Sequence, residues 1–347
     1  MEIGSEFEWD YNNSKTTGTN NFDQNKEWIY TFSGRTAIET VLRNITSKKK
    51  ALLPEYCCDS ILVPFRHLGV DYNFYSVKLN DEGIFIKINE ESLFASDILY
   101  LVNYFGFKID FPEDLINRFR QAGGIVIEDI THSLFSNRPY HYCSDWVLAS
   151  LRKWGALLDG GFCWCIKETP EIKPSLMPSD NFIEKKRKAM LLKEKYIKTG
   201  VGEKQDFLSL YAETNHELSE YYSNTAISVE SLKIFRRWNI DKIRKQRVKN
   251  AVCLYSELKD LVGIKPLFKE NKIQCPLFVP IIVKSEKRDL IRKKLIENNI
   301  YCPIHWPIPK DRPKSRLYDV EISLICDQRY NEGDMKRIGK ILKACEV

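Results

Sequence analysis

What the chain lacks narrows its class before its motifs are read. No apolar run approaches the roughly 18 residues that a helix needs to cross a bilayer. The first residues, MEIGSEFEWDYNN, carry neither the basic start nor the apolar stretch of a secretory leader. A cytoplasmic protein with no membrane partner is therefore the expectation. Charge of one sign is also in short supply, since 53 basic and 47 acidic residues leave only +6. No basic stripe interleaves with aromatic residues, which argues against nucleic acid as a partner. Paired cysteine spacing is missing too. Ten cysteines are scattered along the chain, Cys57 and Cys58 adjacent and Cys163 and Cys165 alternating, so none has the spacing of a zinc site. Free thiols in a reducing compartment, with no metal, are expected.

What is present suits a sizeable enzyme. The 347 residues, 43% hydrophobic and 12% aromatic, fit one large unit and one smaller one. The densest basic run, Lys185 to Lys188, reads as a solvated helix face; the sharper reading is attraction for a phosphorylated or nucleotide-linked substrate.

The informative stretch runs from Gly123 to Gly161. Ile125 to Ile127 is a short β-branched run led in by two glycines and closed by Glu128-Asp129. It reads as a buried strand that delivers Asp129 at its carboxyl end, where open α/β sheets bind ligands. Ser150-Leu151-Arg152-Lys153 follows, then Asp159-Gly160-Gly161. Lys153 lies among Val147, Leu148, Ala149, Leu151 and Trp154, a neighbourhood that disfavours a charged amine. A carboxylate at a strand end and a lysine of this kind are the two groups pyridoxal 5′-phosphate (PLP) requires. The lysine forms a Schiff base, and the acid pairs with the ring nitrogen.

These segments, EDITHS, SLRKW and DGG, resemble those of the DegT/StrS family of PLP-dependent aminotransferases. SGRTAIETVL near residue 33, LPEYCCDSI near 54, LVNYFG near 101, HWPIP near 305 and DQRY near 327 resemble further family segments in the same order. The resemblance spans roughly residues 30 to 340. It implies the fold type I of PLP-dependent transferases, an α/β architecture with a mostly parallel central sheet flanked by helices and a smaller C-terminal α+β domain. It also implies a homodimer with shared active sites, an amino acid donor such as glutamate, and a nucleotide-linked keto sugar acceptor, in bacterial surface polysaccharide assembly. A small phosphorylated ketone as acceptor, and a non-catalytic relative, are the competing readings.

The resemblance also assigns residues. Lys153, Asp129 and His132 are the catalytic group, His132 reaching the ring's phenolic oxygen. Gly34 and Arg35 hold the phosphate at a helix start, where free N–H groups favour an anion. Arg35 stands where relatives carry a small hydroxyl residue, so it either reaches the phosphate or flanks it. Thr131 packs on one face of the ring and Ser150 lies near the phosphate. Relatives place an aromatic near position 58; here either Tyr56 takes that role or the ring packs against the Cys58 thiol. Asn224 matches an asparagine that serves the neighbouring subunit's phosphate, although Ala226 replaces an arginine of the same segment. His305 and Trp306 line the substrate mouth.

The expected organisation is an N-terminal arm over residues 1–27, a large PLP-binding domain over 28–235 and a small domain over 236–347. Residues 10–26 read as exposed, while Gly4 to Phe7 resembles a signature that folds back towards the site. Strands are expected at Trp28 to Phe32, Asp97 to Asn103 and Pro276 to Val283. A helix is expected over Lys287 to Glu297, with a strand after it at Ile300 to Cys302. Two further helices, broken near Trp238-Asn239, fill Ser228 to Leu258.

Overall fold

The computed structural model describes residues 2–9, 27–45, 49–137, 140–141 and 143–345. Most of the expected arm, residues 10–26, lies outside them. Thirteen strands are present among the described residues: β1 (Ile3–Gly4), β2 (Ile29–Thr31), β3 (Lys50–Pro54), β4 (Asp71–Asn80), β5 (Gly83–Lys87), β6 (Ile98–Val102), β7 (Ile125–Asp129), β8 (Trp146–Ser150), β9 (Gly161–Cys165), β10 (Ile264–Pro266), β11 (Phe278–Val283), β12 (Ile300–Tyr301) and β13 (Glu321–Ile325).

Eight of them form one sheet in the order β2-β9-β8-β7-β6-β3-β4-β5. Its centre, β8-β7-β6-β3-β4, is parallel, and antiparallel strands close both edges. The central strands are short apolar runs because helices cover both faces: every residue of β6 and β8 is buried. The architecture is α/β with a mostly parallel sheet. Register puts Asp129 beside Val102 on one side and Leu148 on the other, at the carboxyl edge of the sheet.

A second sheet, β10-β11-β13, is antiparallel. The helix Ile240–Leu258, capped by the Asn239 side chain, packs against β10 and β11. It is preceded by the helix Val229–Phe235, so the chain breaks at Trp238-Asn239 as its pattern predicts. The short strand after the helix Ser285–Glu297 behaves differently from expectation. β12 pairs in parallel with β1, at Ile3↔Ile300 and Gly4↔Tyr301, rather than with its sequence neighbours. One continuous core joins both sheets, from Ile38 and Leu99 to Ile281 and Leu342.

The polar stretch 170–222 contains a helical hairpin, Asp180–Thr199 and Lys204–Glu220. The N-terminal segment crosses it. Tyr211 donates from its hydroxyl to the Phe7 carbonyl at 2.8 Å, and the Lys193 ammonium bonds the Glu6 carbonyl. Gly4 N–H meets the Tyr330 hydroxyl at 2.7 Å, which ties this end to the loop after β13 as well.

Candidate active site

The site forms where two turns meet the carboxyl edge of the sheet. The first is the helix Gly34–Asn44. Ser33, with extended backbone, caps it by accepting from the Thr36 N–H at 3.3 Å. The N–H groups of Gly34 and Arg35 have no partner within the helix, and both residues line the cleft, so the positive end of the helix dipole lies there. Two glycines let backbones approach here. A Cβ on Gly161 would lie 2.7 Å from the Ser33 carbonyl atoms, and one on Gly34 would lie 3.3 Å from Ser150 Cβ.

The second turn follows β8, where residues 151–153 make one 3₁₀ turn that carries Lys153. Several contacts hold it. Leu151 N–H donates to the Gly160 carbonyl at 3.0 Å, and the Trp154 indole donates to the Thr131 carbonyl at 2.7 Å. Ser150 N–H bonds the Thr131 hydroxyl at 3.0 Å. Behind the turn, the guanidinium of buried Arg247 stacks over Trp154 at 4.5 Å.

Between these turns lies a cleft with about 660 Å³ of unfilled space. Lys153, Asp129, Thr131, His132, Ser150 and Cys58 line it, together with Gly34, Arg35 and Trp306. Asp129 accepts from the Thr131 N–H at 2.8 Å and from the Tyr100 hydroxyl at 3.0 Å. Burial raises its pKa, opposed by the Thr131 hydrogen bonds and by the charge of Lys153. Lys153 has no hydrogen-bond or ion-pair partner among the described residues. Burial lowers its pKa, with Cys58 and Asp129 pulling the other way and the charges of Arg152 and Arg35 reinforcing the fall. His132 accepts at Nδ1 from the Phe105 N–H at 3.2 Å and stacks on Trp306 at 5.9 Å. Burial first, then Lys153 and His305, keep it well below the usual histidine pKa, so it is neutral.

Three of the sequence candidates sit elsewhere. Tyr56 is fully buried in an aromatic cluster, with ring centroids 5.0 Å from Trp306 and 4.9 Å from Tyr318, and is not among the cleft-lining residues. Cys58 does line the cleft. Asn224 does not reach the cleft of its own chain. Its amide donates to Ser175 Oγ at 2.8 Å and accepts from Ser175 N–H at 3.1 Å. His305 lies behind Trp306, its Nδ1 paired with Ser323 Oγ at 2.7 Å, and burial brings its pKa down to about 3.

The sequence reading missed two groups. Tyr100 is one; a tyrosine inside the apolar run ILYLV needs a partner for its hydroxyl, and that was the available signal. Arg152 is the other, adjacent to Lys153 and lining the same cleft. Among the described residues no group of histidine, cysteine and acidic side chains could hold a metal ion. No helix there is long and apolar enough to cross a membrane.

The cleft offers free backbone N–H groups at a helix start, a buried carboxylate and an amine without a hydrogen-bond partner. No protein-family model matches the chain, and no curated protein matches it. Solved structures do. The aminotransferase PseC of Helicobacter pylori, involved in the biosynthesis of pseudoaminic acid, aligns with a TM-score of 0.65 at 15% identity, over 100% of this chain and 99% of its own. A DegT DnrJ EryC1 StrS aminotransferase from Brucella abortus gives 0.62 at 15% identity, over 92% and 86%. NtdA of Bacillus subtilis, solved with the cofactor PMP, gives 0.61 at 14% identity, over 92% and 74%. At this level of identity the likeness is one of fold.

Proposed function

We propose that the chain is a PLP-dependent aminotransferase of the DegT/StrS type. One observation carries this reading: an unpaired, buried lysine and a hydrogen-bonded aspartate line one cleft in a fold shared with aminotransferases. The residues present fit the cofactor. The Gly34 helix start, Arg35 and Ser150 would hold the phosphate, with the glycine leaving the space a Cβ would crowd. Asp129 would pair with the ring nitrogen, and Thr131 and Cys58 would pack on the ring's two faces. When bound, PLP supplies an electrophilic carbonyl and an electron-withdrawing ring.

The chain's own groups do the rest. The Lys153 amine, whose pKa burial lowers, would accept the proton that leaves the donor's α-carbon. Asp129 would pair with a protonated ring nitrogen through a charge-assisted bond. His132, held by the Phe105 N–H, would orient the ring's phenolic oxygen. Trp306 lines the cleft, and His305 packs against it.

The donor in this reading is glutamate and the acceptor a nucleotide-linked keto sugar used in bacterial surface polysaccharide assembly. The enzyme works in the cytoplasm as a homodimer, with Asn224 turned towards the partner subunit's phosphate. The proposed division is residues 28–235 for the cofactor and 236–347 for the smaller domain. A panel of keto sugars assayed with glutamate tests the reading, with Lys153→Ala as the blank. Glutamate should bleach the yellow PLP-loaded protein, and at least one keto sugar should restore the colour. Turnover that survives Lys153→Ala would refute it.

A further inference from the structure

Two arginines line the cleft beside Lys153, and only one of them stands at the helix start. Arg35, Arg152 and Lys153 line this cleft against the single carboxylate of Asp129. The buried Nε atoms of both arginines lack partners. Arg35 is partly engaged, donating to Ser219 Oγ at 2.8 Å, and stands next to Gly34 at the helix start. Arg152 makes neither a hydrogen bond nor an ion pair among the described residues. Glu6, the acid whose charge it helps to stabilise, is already held by Asn215 at 3.1 Å and Lys186 at 3.5 Å.

A guanidinium partly withdrawn from water, whose Nε has no partner and whose neighbouring acid Glu6 is already held by other groups, is suited to receive an anionic ligand. We infer that Arg152 receives the α-carboxylate of the amino donor and so restricts the donor to amino acids. The inference rests on the aminotransferase reading above. Its geometry is that of consecutive residues on one turn: Arg152 and Lys153 both face the cleft. In an α-amino acid the carboxylate and the amine share one carbon. A carboxylate seated on Arg152 therefore holds the amine on the Lys153 side of the cleft. The planar fork of arginine matches a carboxylate with two parallel hydrogen bonds, which lysine cannot reproduce.

The test uses the full chain loaded with PLP, as wild type, Arg152→Met, Arg152→Lys and Arg35→Met. Three quantities are read: the glutamate concentration that half-bleaches the cofactor band, the binding of unreactive succinate by calorimetry, and the PLP dissociation constant by fluorescence quenching. Arg152→Met should raise the half-bleaching concentration at least 30-fold and weaken succinate similarly, with PLP affinity within threefold of wild type. Arg152→Lys should recover part of the loss. Arg35→Met should instead weaken PLP. The inference is overturned if Arg152→Met leaves glutamate and succinate unaffected, or if it weakens PLP as much as it weakens glutamate, which would assign the guanidinium to the phosphate. A wild-type chain that binds no PLP overturns the underlying aminotransferase reading, a result distinct from either.

Discussion

The hydroxyl of Tyr100 on β6 donates a 3.0 Å hydrogen bond to Oδ2 of Asp129 on the neighbouring strand β7. Tyr100 is fully buried, and burial, then the Asp129 charge, push its pKa well above the usual tyrosine value. Its protonated, donating form is therefore favoured beyond that of a free tyrosine. Together with the Thr131 N–H it favours the ionised carboxylate that the proposed ring pairing needs, against the burial that opposes it.

Tyr100→Phe removes that donor and leaves the ring of similar size in place. A hydrogen bond to a charged group contributes about 1.5–3 kcal/mol. PLP affinity, read by fluorescence quenching, should fall roughly 10-fold or more. An unchanged dissociation constant would mean that the bond does not support Asp129.

The two glycines of the site should respond differently to a methyl group. Gly34→Ala places a Cβ 3.3 Å from Ser150 Cβ, at a helix start that tolerates alanine. Urea unfolding should change by less than about 1 kcal/mol, whereas PLP binding should weaken as the anion seat narrows. Gly161→Ala meets the Ser33 backbone at 2.7 Å and should cost more than about 2 kcal/mol. Equal effects of the two on stability would contradict this assignment of space.

Glu6 gives a pH test of the N-terminal segment. Its carboxyl pKa is brought down to about 2: burial opposes the fall, but the charges of Lys186 and Arg152 and the Asn215 hydrogen bond outweigh it. A carboxyl group whose pKa is lower folded than unfolded adds stability above its unfolded pKa. That contribution disappears as pH falls from about 4.5 to about 2. The side chain is 36% exposed, so solvent screening reduces the gain to about 1 kcal/mol. Glu6→Gln should lower stability at neutral pH and flatten the acid limb of the stability curve over this window. Parallel curves for the two proteins would exclude the role.

The sequence was most legible where one local pattern decides one local structure. The apolar run before Asp129 could only be a covered strand, and its last residue then had to stand at the sheet edge. The helix after Ser33 was readable for the same reason, from a capping residue and the spacing behind it. Positions set by distant contacts were not legible. Whether Tyr56 or Cys58 faces the cleft depends on the aromatic packing of Tyr104, Trp306 and Tyr318, two of them far away in the chain. The pairing of β12 with β1 joins opposite ends of the chain, which no local spacing encodes. Arg152 was overlooked because a basic residue beside a lysine looks like any exposed pair until the cleft shows that it has no partner.

The central claim is that the amine of residue 153 and the carboxylate of residue 129 serve one ring. Borohydride reduction of the PLP-loaded protein, followed by peptide mass mapping, tests it most directly. The account predicts a phosphopyridoxyl group on the peptide containing Lys153, absent after Lys153→Ala and strongly diminished after Asp129→Ala. A label on another lysine, or none on the wild-type chain, would contradict it.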